Sequence, residues 1–250
     1  MSERSSIHGS WTLGCLLALG VGVNAAAAPQ CTARSGATVN LLVELYTSEG
    51  CNSCPPADRW LSALKQRFDV VGLAFHVDYW DRLGWKDRFG SPAFTQRQAQ
   101  QQAVNGARFS YTPQVVIDGQ ERKDWPRARL AADRMPAVVD IELAHDGERV
   151  TASVAAGAQA PARLAAYWAV TEFGHRTAVK AGENEGATLE HDFVVREYQS
   201  VAAWSATAGA AQRLVFTPAA RPDPAHPRKV NLVVVDAASG RPLQALALGC

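Results

Sequence analysis

Cys51 and Cys54 carry the most reactive chemistry that the 250-residue sequence offers. A thiolate is both a nucleophile and a soft metal ligand, so two thiols at this spacing can close a disulfide, exchange one with a partner, or hold a metal. Spacing alone does not choose among these, but position helps. Leu41, Leu42, Val43 and Leu45 form an apolar run of strand length, and Ser48, Glu49 and Gly50 punctuate it just before Cys51. Pro55 and Pro56 follow Cys54, where proline is tolerated only in the first turn of a helix. Cys51 is therefore expected at a helix N-terminus, where the dipole and unpaired N–H groups favour an anion, with Cys54 deeper and less acidic. The asymmetry assigns roles: Cys51 attacks and Cys54 resolves the mixed disulfide. Two other readings stay open, an inert disulfide staple and a copper or zinc site completed by His76.

Other groups could assist. Glu44 lies among apolar neighbours on the strand leading into Cys51. Buried there, it would have a raised pKa and could relay a proton to Cys54; exposed, it would do nothing. His76 and Asp78 end the next apolar run and could support the site. Further on, Glu183, Asn184, Glu185, His191 and Asp192 make a polar cluster that reads either as metal ligands or as a solvated loop.

The elements that must position these groups follow in order. Residues 37–46 read as a strand, 58–68 as a helix with Trp60, Leu61, Leu64 and Phe68 at helical spacing, and 69–76 as a second buried strand, together a parallel βαβ unit. Residues 77–90 place Tyr79, Trp80, Trp85 and Phe89 among charges of alternating sign. This insertion is expected over the domain, as a loop anchored by its aromatics or as a flap beside the cysteines. Ser91-Pro92 opens a helix that Asn105-Gly106 closes. Thr112-Pro113 then leads into an apolar strand, an Asp118-Gly119 turn and a polar strand over 120–123, and residues 124–135 are expected to form a closing helix. Beyond Pro136 the pattern changes to short strands separated by turn signals: a hairpin over 141–154, then 164–171, 192–199, 214–216, 230–236 and 243–248.

The remaining bounds come from composition. At 47% hydrophobic and 20% charged residues with a net charge of +1, the chain is an ordinary globular protein, with no charge excess to suggest nucleic acid as a partner. Residues 1–28, with an apolar stretch over 11–23 and Ala25 to Ala28 at the cut, read as a secretory signal peptide, the alternative being a membrane anchor. Cleavage would remove Cys15 and leave Cys31, Cys51, Cys54 and Cys250 in an oxidising compartment, periplasmic or secreted, with no membrane span. Cys31 and Cys250 lie near the two chain ends, which are often neighbours, and are expected to form a structural disulfide.

Through ELYTSEGCNSC, the helix after it and YTPQVVIDG, the core resembles thioredoxin-like proteins. The fuller pattern of CNSCPPAD, FHVDYWDRLGWKDRFG, YTPQVVIDG and KAGENEGATLEHDFVVREY is similar to a bacterial exported family catalogued as domain of unknown function 1223. The resemblance implies an α/β thioredoxin-like domain (29–136, with the insertion 77–90) followed by a mainly antiparallel β-sandwich domain (137–250). It also implies a cis Pro113 facing the cysteines. Asn52-Ser53 between the cysteines departs from the thioredoxin Gly-Pro, so no redox potential carries over. The expected function is thiol–disulfide exchange with protein thiols or disulfides, Cys51 and Cys54 acting with Glu44 and with Thr112-Pro113 lining the groove. No cofactor and no resident metal are assigned. The alternative is a non-catalytic binding protein, a ligand or copper carrier with Cys51–Cys54 as a staple.

Overall fold

The computed structural model describes residues 1–2, 31–130, 134–219 and 221–250. The predicted signal peptide, apart from its first two residues, lies outside them, as does Cys15. The chain runs β1 (Cys31–Arg34), β2 (Leu41–Thr47), α1 (Pro55–Ser62), β3 (Val70–His76), α2 (Pro92–Val104), β4 (Gln114–Ile117) and β5 (Gln120–Glu121). It continues as β6 (Val139–Asp146), β7 (Arg149–Ala156), β8 (Arg163–Glu172), β9 (His175–Ala178), β10 (Thr188–His191), β11 (Val194–Ser205), β12 (Ala211–Phe216), β13 (Arg228–Asp236) and β14 (Pro242–Leu248).

The apolar runs around Cys51 behave as their composition dictates. All seven residues of β2 and all seven of β3 are buried, because the sheet they pair in is covered on both faces. Leu41, Val43 and Leu45 meet Ala57 and Leu61 of α1, while Leu42 and Tyr46 pack with Phe94 of α2. Alternation along one strand thus sends successive side chains to two different helices. Pro92 sits at the start of α2, and the Ser91 hydroxyl accepts the Ala93 N–H as a cap.

The expected α/β thioredoxin-like domain followed by a β-sandwich is not what the chain forms. The structure is mostly β, with fourteen strands in three sheets and only two α-helices among the described residues. The largest sheet has the order β14-β13-β8-β11-β3-β2-β4-β5, so strands from both sides of Pro136 share it. A four-stranded sheet, β1-β6-β7-β12, covers the Leu164, Ala166, Trp168 and Val170 face of β8, with Trp168 and Phe216 stacked at 5.2 Å. β9 and β10 form a separate hairpin. The closing helix expected over 124–135 appears, where described, only as a 3-10 turn at Trp125–Arg127; Ala128 after it is already extended. The extended backbone at Ala128 stops the helix after one turn, and Trp125 docks against Trp60 at 5.5 Å.

The two halves of the large sheet meet at a narrow seam. Val194 of β11 pairs in parallel with Ala74 of β3, and the Ala74 N–H donates to the Phe193 carbonyl at 2.8 Å. Phe193 adopts a left-handed φ of 58° and lays its ring over Gly72. A Cβ at position 72 would stand 2.7 Å from that ring, which Phe173 holds from another side at 4.9 Å. At the far end, Cys31 and Cys250 form the expected disulfide, tying β1 to the chain end beyond β14. Gly72→Ala should therefore overpack the seam and cost about 1–3 kcal/mol. Urea unfolding checks this: the midpoint falls with the slope unchanged, whereas an unshifted midpoint would show that Phe193 yields freely.

Candidate functional site

β2 delivers Thr47, Ser48, Glu49 and Gly50 to the turn, and α1 begins at Pro55, so Cys51 and Cys54 occupy the junction. They are joined as a disulfide with Cα atoms 5.4 Å apart, and both are fully buried. Cys54 is the N-cap residue of α1, and its carbonyl accepts the N–H groups of Ala57 and Asp58. Pro55 and Pro56 have no N–H, so two of the donors that a helix start normally presents are missing. The expected stabilisation of a Cys51 thiolate by unpaired helix N–H groups is correspondingly reduced. Ser53 Oγ, 3.4 Å from Cys51 Sγ, is the nearest polar side-chain partner shown.

The backbone of the Cys51 turn is held by a segment more than a hundred residues away. Asn184 Nδ2 donates to the carbonyls of Glu49 (2.8 Å) and Cys51 (3.0 Å), and the Glu183 carboxylate accepts the Asn52 N–H at 3.1 Å. Gly182, at φ 77°, lets this loop press on Trp85, where an added Cβ would lie 3.2 Å from the Trp85 Cβ. Trp85 in turn donates its indole N–H to Glu49 at 2.8 Å. Trp80 lies against Gly50 and donates to Thr112 Oγ1 at 2.8 Å. The aromatic insertion is thus a frame around the cysteine turn, fixed by indole hydrogen bonds.

Behind the turn lies a cluster of buried ionisable groups: Glu49, Asp58 of α1, His76 at the end of β3, Asp87 of the insertion and His191 of β10. Asp87 accepts from His76 Nδ1 at 2.7 Å and from the backbone N–H groups of Glu49 and Phe89 at 2.9 Å each. Burial alone would raise the Asp87 pKa, but His76 and the two N–H groups hold it at about 2. For His76, burial pulls the pKa down and the facing Asp87, with Asp58 and Glu49 behind it, pushes it above the usual value. Asp58 is raised, chiefly by burial, although Thr47 Oγ1 donates to it at 3.1 Å. Glu49 is lowered: burial opposes this, but His191 at 3.4 Å and the Trp85 indole outweigh it.

The other expected site residues are dispersed. Glu44 is fully buried on the α2 side of β2, opposite α1. Its oxygens accept from Arg97 (2.8 Å), Gln101 (2.8 Å) and Tyr167 (3.0 Å), so it is engaged in an ion-pair network away from Cys54. Thr112-Pro113 is a cis peptide, and Pro113 lines an open groove of about 320 Å³ with Phe109, Tyr111, Lys123 and Trp125. Asp78 is tied to Thr95 of α2. The Glu183–Asp192 stretch is split: Glu183 and Asn184 hold the cysteine turn, His191 joins the buried cluster, and Asp192 pairs with Lys65 at 3.1 Å. The Cys31–Cys250 bridge stands apart as a structural link. Asp58, Glu49 and Asp87 were not singled out from sequence. Asp58 carried a readable signal, since four residues after Cys54 on a helix puts it on the same face.

Fold and site together define a β-rich, disulfide-bonded protein with a buried Cys-x-x-Cys at a strand–helix junction. The chain belongs to the family described as protein of unknown function DUF1223, which matches residues 42–235. It is similar to a solved protein from Agrobacterium tumefaciens, with 26% identity and a TM-score of 0.65 over 86% of this chain and 96% of that one. HBP35 of Porphyromonas gingivalis shares the fold more loosely, with 14% identity and a TM-score of 0.59 over 85% of this chain and 75% of that one. None of the curated proteins matches the chain. No helix among the described residues is long and apolar enough to cross a membrane.

Asn184→Ala removes two hydrogen bonds from the covering loop, each worth about 1 kcal/mol. Iodoacetamide labelling of Cys51 in the reduced protein should then accelerate by roughly 10–30-fold, the factor corresponding to about 1.4–2 kcal/mol. An unchanged labelling rate would show that the loop does not control access.

Proposed function

We propose that the chain is an exported thiol–disulfide oxidoreductase that exchanges disulfides with protein substrates through Cys51 and Cys54. The carrying observation is the closed Cys51–Cys54 disulfide at the start of α1, with only Asn52 and Ser53 between its thiols. In the reducing direction the Cys51 thiolate attacks one sulfur of a substrate disulfide, and the other leaves as a thiolate that takes a proton. Cys54, deprotonated, then attacks Cys51 Sγ, releasing the second substrate thiol. Two electrons pass from the pair to the substrate. The reverse sequence oxidises a substrate dithiol and leaves the pair reduced.

Two further features support this reading. The groove beside cis Pro113 offers apolar walls from Phe109 and Trp125 for an extended substrate segment. Two disulfides suit an oxidising compartment, in keeping with a leader at residues 1–28, and make a periplasmic or secreted location the natural one. The full burial of Cys51 favours a second reading, in which the pair is a staple within a non-catalytic binding protein. Exchange would require the Asn184 loop to lift before a substrate sulfur could reach Cys51.

Equilibration of the native protein with glutathione buffers separates the two. A catalyst should reach equilibrium at a potential within the range of known exchange proteins, roughly −270 to −120 mV. Reduced Cys54→Ser should then form a persistent one-to-one adduct with a disulfide-bonded peptide, and Cys51→Ser should not. A pair that stays oxidised in excess reduced glutathione, with no adduct from either variant, is a staple, and the exchange reading falls.

A further inference from the structure

We infer that Asp58, His76 and His191 form a binding site for one divalent transition-metal ion of the zinc type. One donor atom from each lies within 4.8 Å of the others. The three side chains come from α1, β3 and β10, so the tertiary fold brings them together. All three are buried, at 7%, 0% and 3% exposure.

The polar atoms facing this point lack partners. His76 Nε2, both ring nitrogens of His191 and Glu49 Oε1 are buried without a hydrogen bond among the described residues. Glu49 Oε1 and His191 Nε2 face each other at 3.4 Å, which leaves His76 Nε2 and His191 Nδ1 as the orphans; each costs about 1–3 kcal/mol, so the two together call for an occupant. Their orientation narrows the choice. Asp87 accepts from His76 Nδ1, which turns Nε2 toward the centre as a lone-pair donor. Glu49 Oε1 stands 3.4 Å from His191 Nε2, so that nitrogen can carry the proton and leave Nδ1, 4.0 Å from Asp58 Oδ1, as the ligand. Thr47 Oγ1 holds the other Asp58 oxygen at 3.1 Å. Each ligand therefore has its own orienting partner, the carboxylate–histidine arrangement that fixes metal ligands.

The donor set selects the kind of ion. Two imidazole nitrogens and one carboxylate suit zinc-like dications, whereas calcium and magnesium require oxygen shells. Zn–N and Zn–O bonds of about 2.0–2.1 Å place tetrahedral ligand atoms roughly 3.4 Å apart, so the donors need only a modest contraction. Glu49, Asp58 and Asp87 set three carboxylates beside two histidines, and with both imidazoles neutral as ligands a dication would offset most of that negative charge. A small cavity of about 120 Å³ lined by Pro55, Asp58, Arg59 and residues 188–191 gives access from the surface. The disulfide keeps both thiols out of the ligand set. This inference does not rest on the redox reading.

Calorimetric titration of the oxidised, metal-stripped protein with Zn²⁺ tests it, because the disulfide then excludes thiolate binding. The expected result is one Zn²⁺ per chain at micromolar affinity or tighter, and a higher melting temperature with zinc than without. His191→Ala and Asp58→Asn should abolish binding, with folding confirmed by circular dichroism, while the double variant Cys51→Ser, Cys54→Ser should retain it. Asp87→Asn and Glu49→Gln should weaken it about 10–100-fold. Co²⁺ in place of Zn²⁺ should give visible ligand-field bands without thiolate charge-transfer absorption. No stoichiometric binding by the folded wild type would overturn the inference. So would binding that survives His191→Ala, or binding that disappears with the cysteines.

Discussion

The single parallel pairing of β11 with β3 is the constraint on which the rest depends. The Ala74 N–H reaches the Phe193 carbonyl, and the Phe193 ring occupies the space that Gly72 leaves free. His191 lies two residues before Phe193, and Asn184 lies in the loop leading to it. Docking Phe193 therefore delivers both the buried imidazole and the cover of Cys51 to the junction of β2 and α1. A shift of one residue at this seam would turn Val194 and Val195 to opposite faces and withdraw His191 from Asp58 and His76. Strand pairing and site assembly are one event here, and the chemistry of residues 49–58 is completed from the other half of the chain.

The large sheet carries two polar clusters on opposite faces, and their difference in satisfaction is informative. Glu44 is surrounded by Arg97, Gln101 and Tyr167, with the Arg97 guanidinium over the Tyr167 ring at 4.5 Å. Its carboxylate oxygens both have partners, so this network holds α2 and β8 on β2. The cluster of Glu49, Asp58, His76 and His191 is equally buried but leaves His76 Nε2 and His191 Nδ1 without hydrogen bonds. The carboxylate of the first cluster is saturated by its neighbours, whereas the second, only a few residues along β2, presents buried lone pairs that a ligand could take.

Much of the local structure was legible. The apolar runs gave β2 and β3, the prolines marked the starts of α1 and α2, and the Asp146-Gly147 turn gave the β6–β7 hairpin. The fold class was not legible, because the patterns that define a strand do not say which sheet it joins. β8, β13 and β14 carry continuous buried runs rather than the alternation of a sandwich strand, and with β11 they extend the sheet of β2 and β3. The same limit hid the site. Glu44 and Asp58 are both acids near Cys54, and only the pleat of β2 and the turn of α1 decide that Asp58 shares a face with it. His191 is 133 positions from Asp58 in sequence, and the polar stretch around it gave no hint that its members separate to Asn52, His76 and Lys65.

The cover over Cys51 places a quantitative condition on any exchange reaction. Asn184 contributes two hydrogen bonds and Glu183 a third, to Asn52. The two part-buried Asn184 bonds, at about 1 kcal/mol each, favour the closed loop by roughly 2 kcal/mol, so about one molecule in thirty has it lifted. A partner that binds the open form is penalised by the same factor unless it replaces those bonds, for example by offering its own amide to the Glu49 and Cys51 carbonyls. A substrate backbone can do this, and a small thiol that lacks amide groups cannot. Under the exchange reading, then, the loop favours partners that carry backbone amides, and the bonds that hold it on the Cys51 turn set that preference.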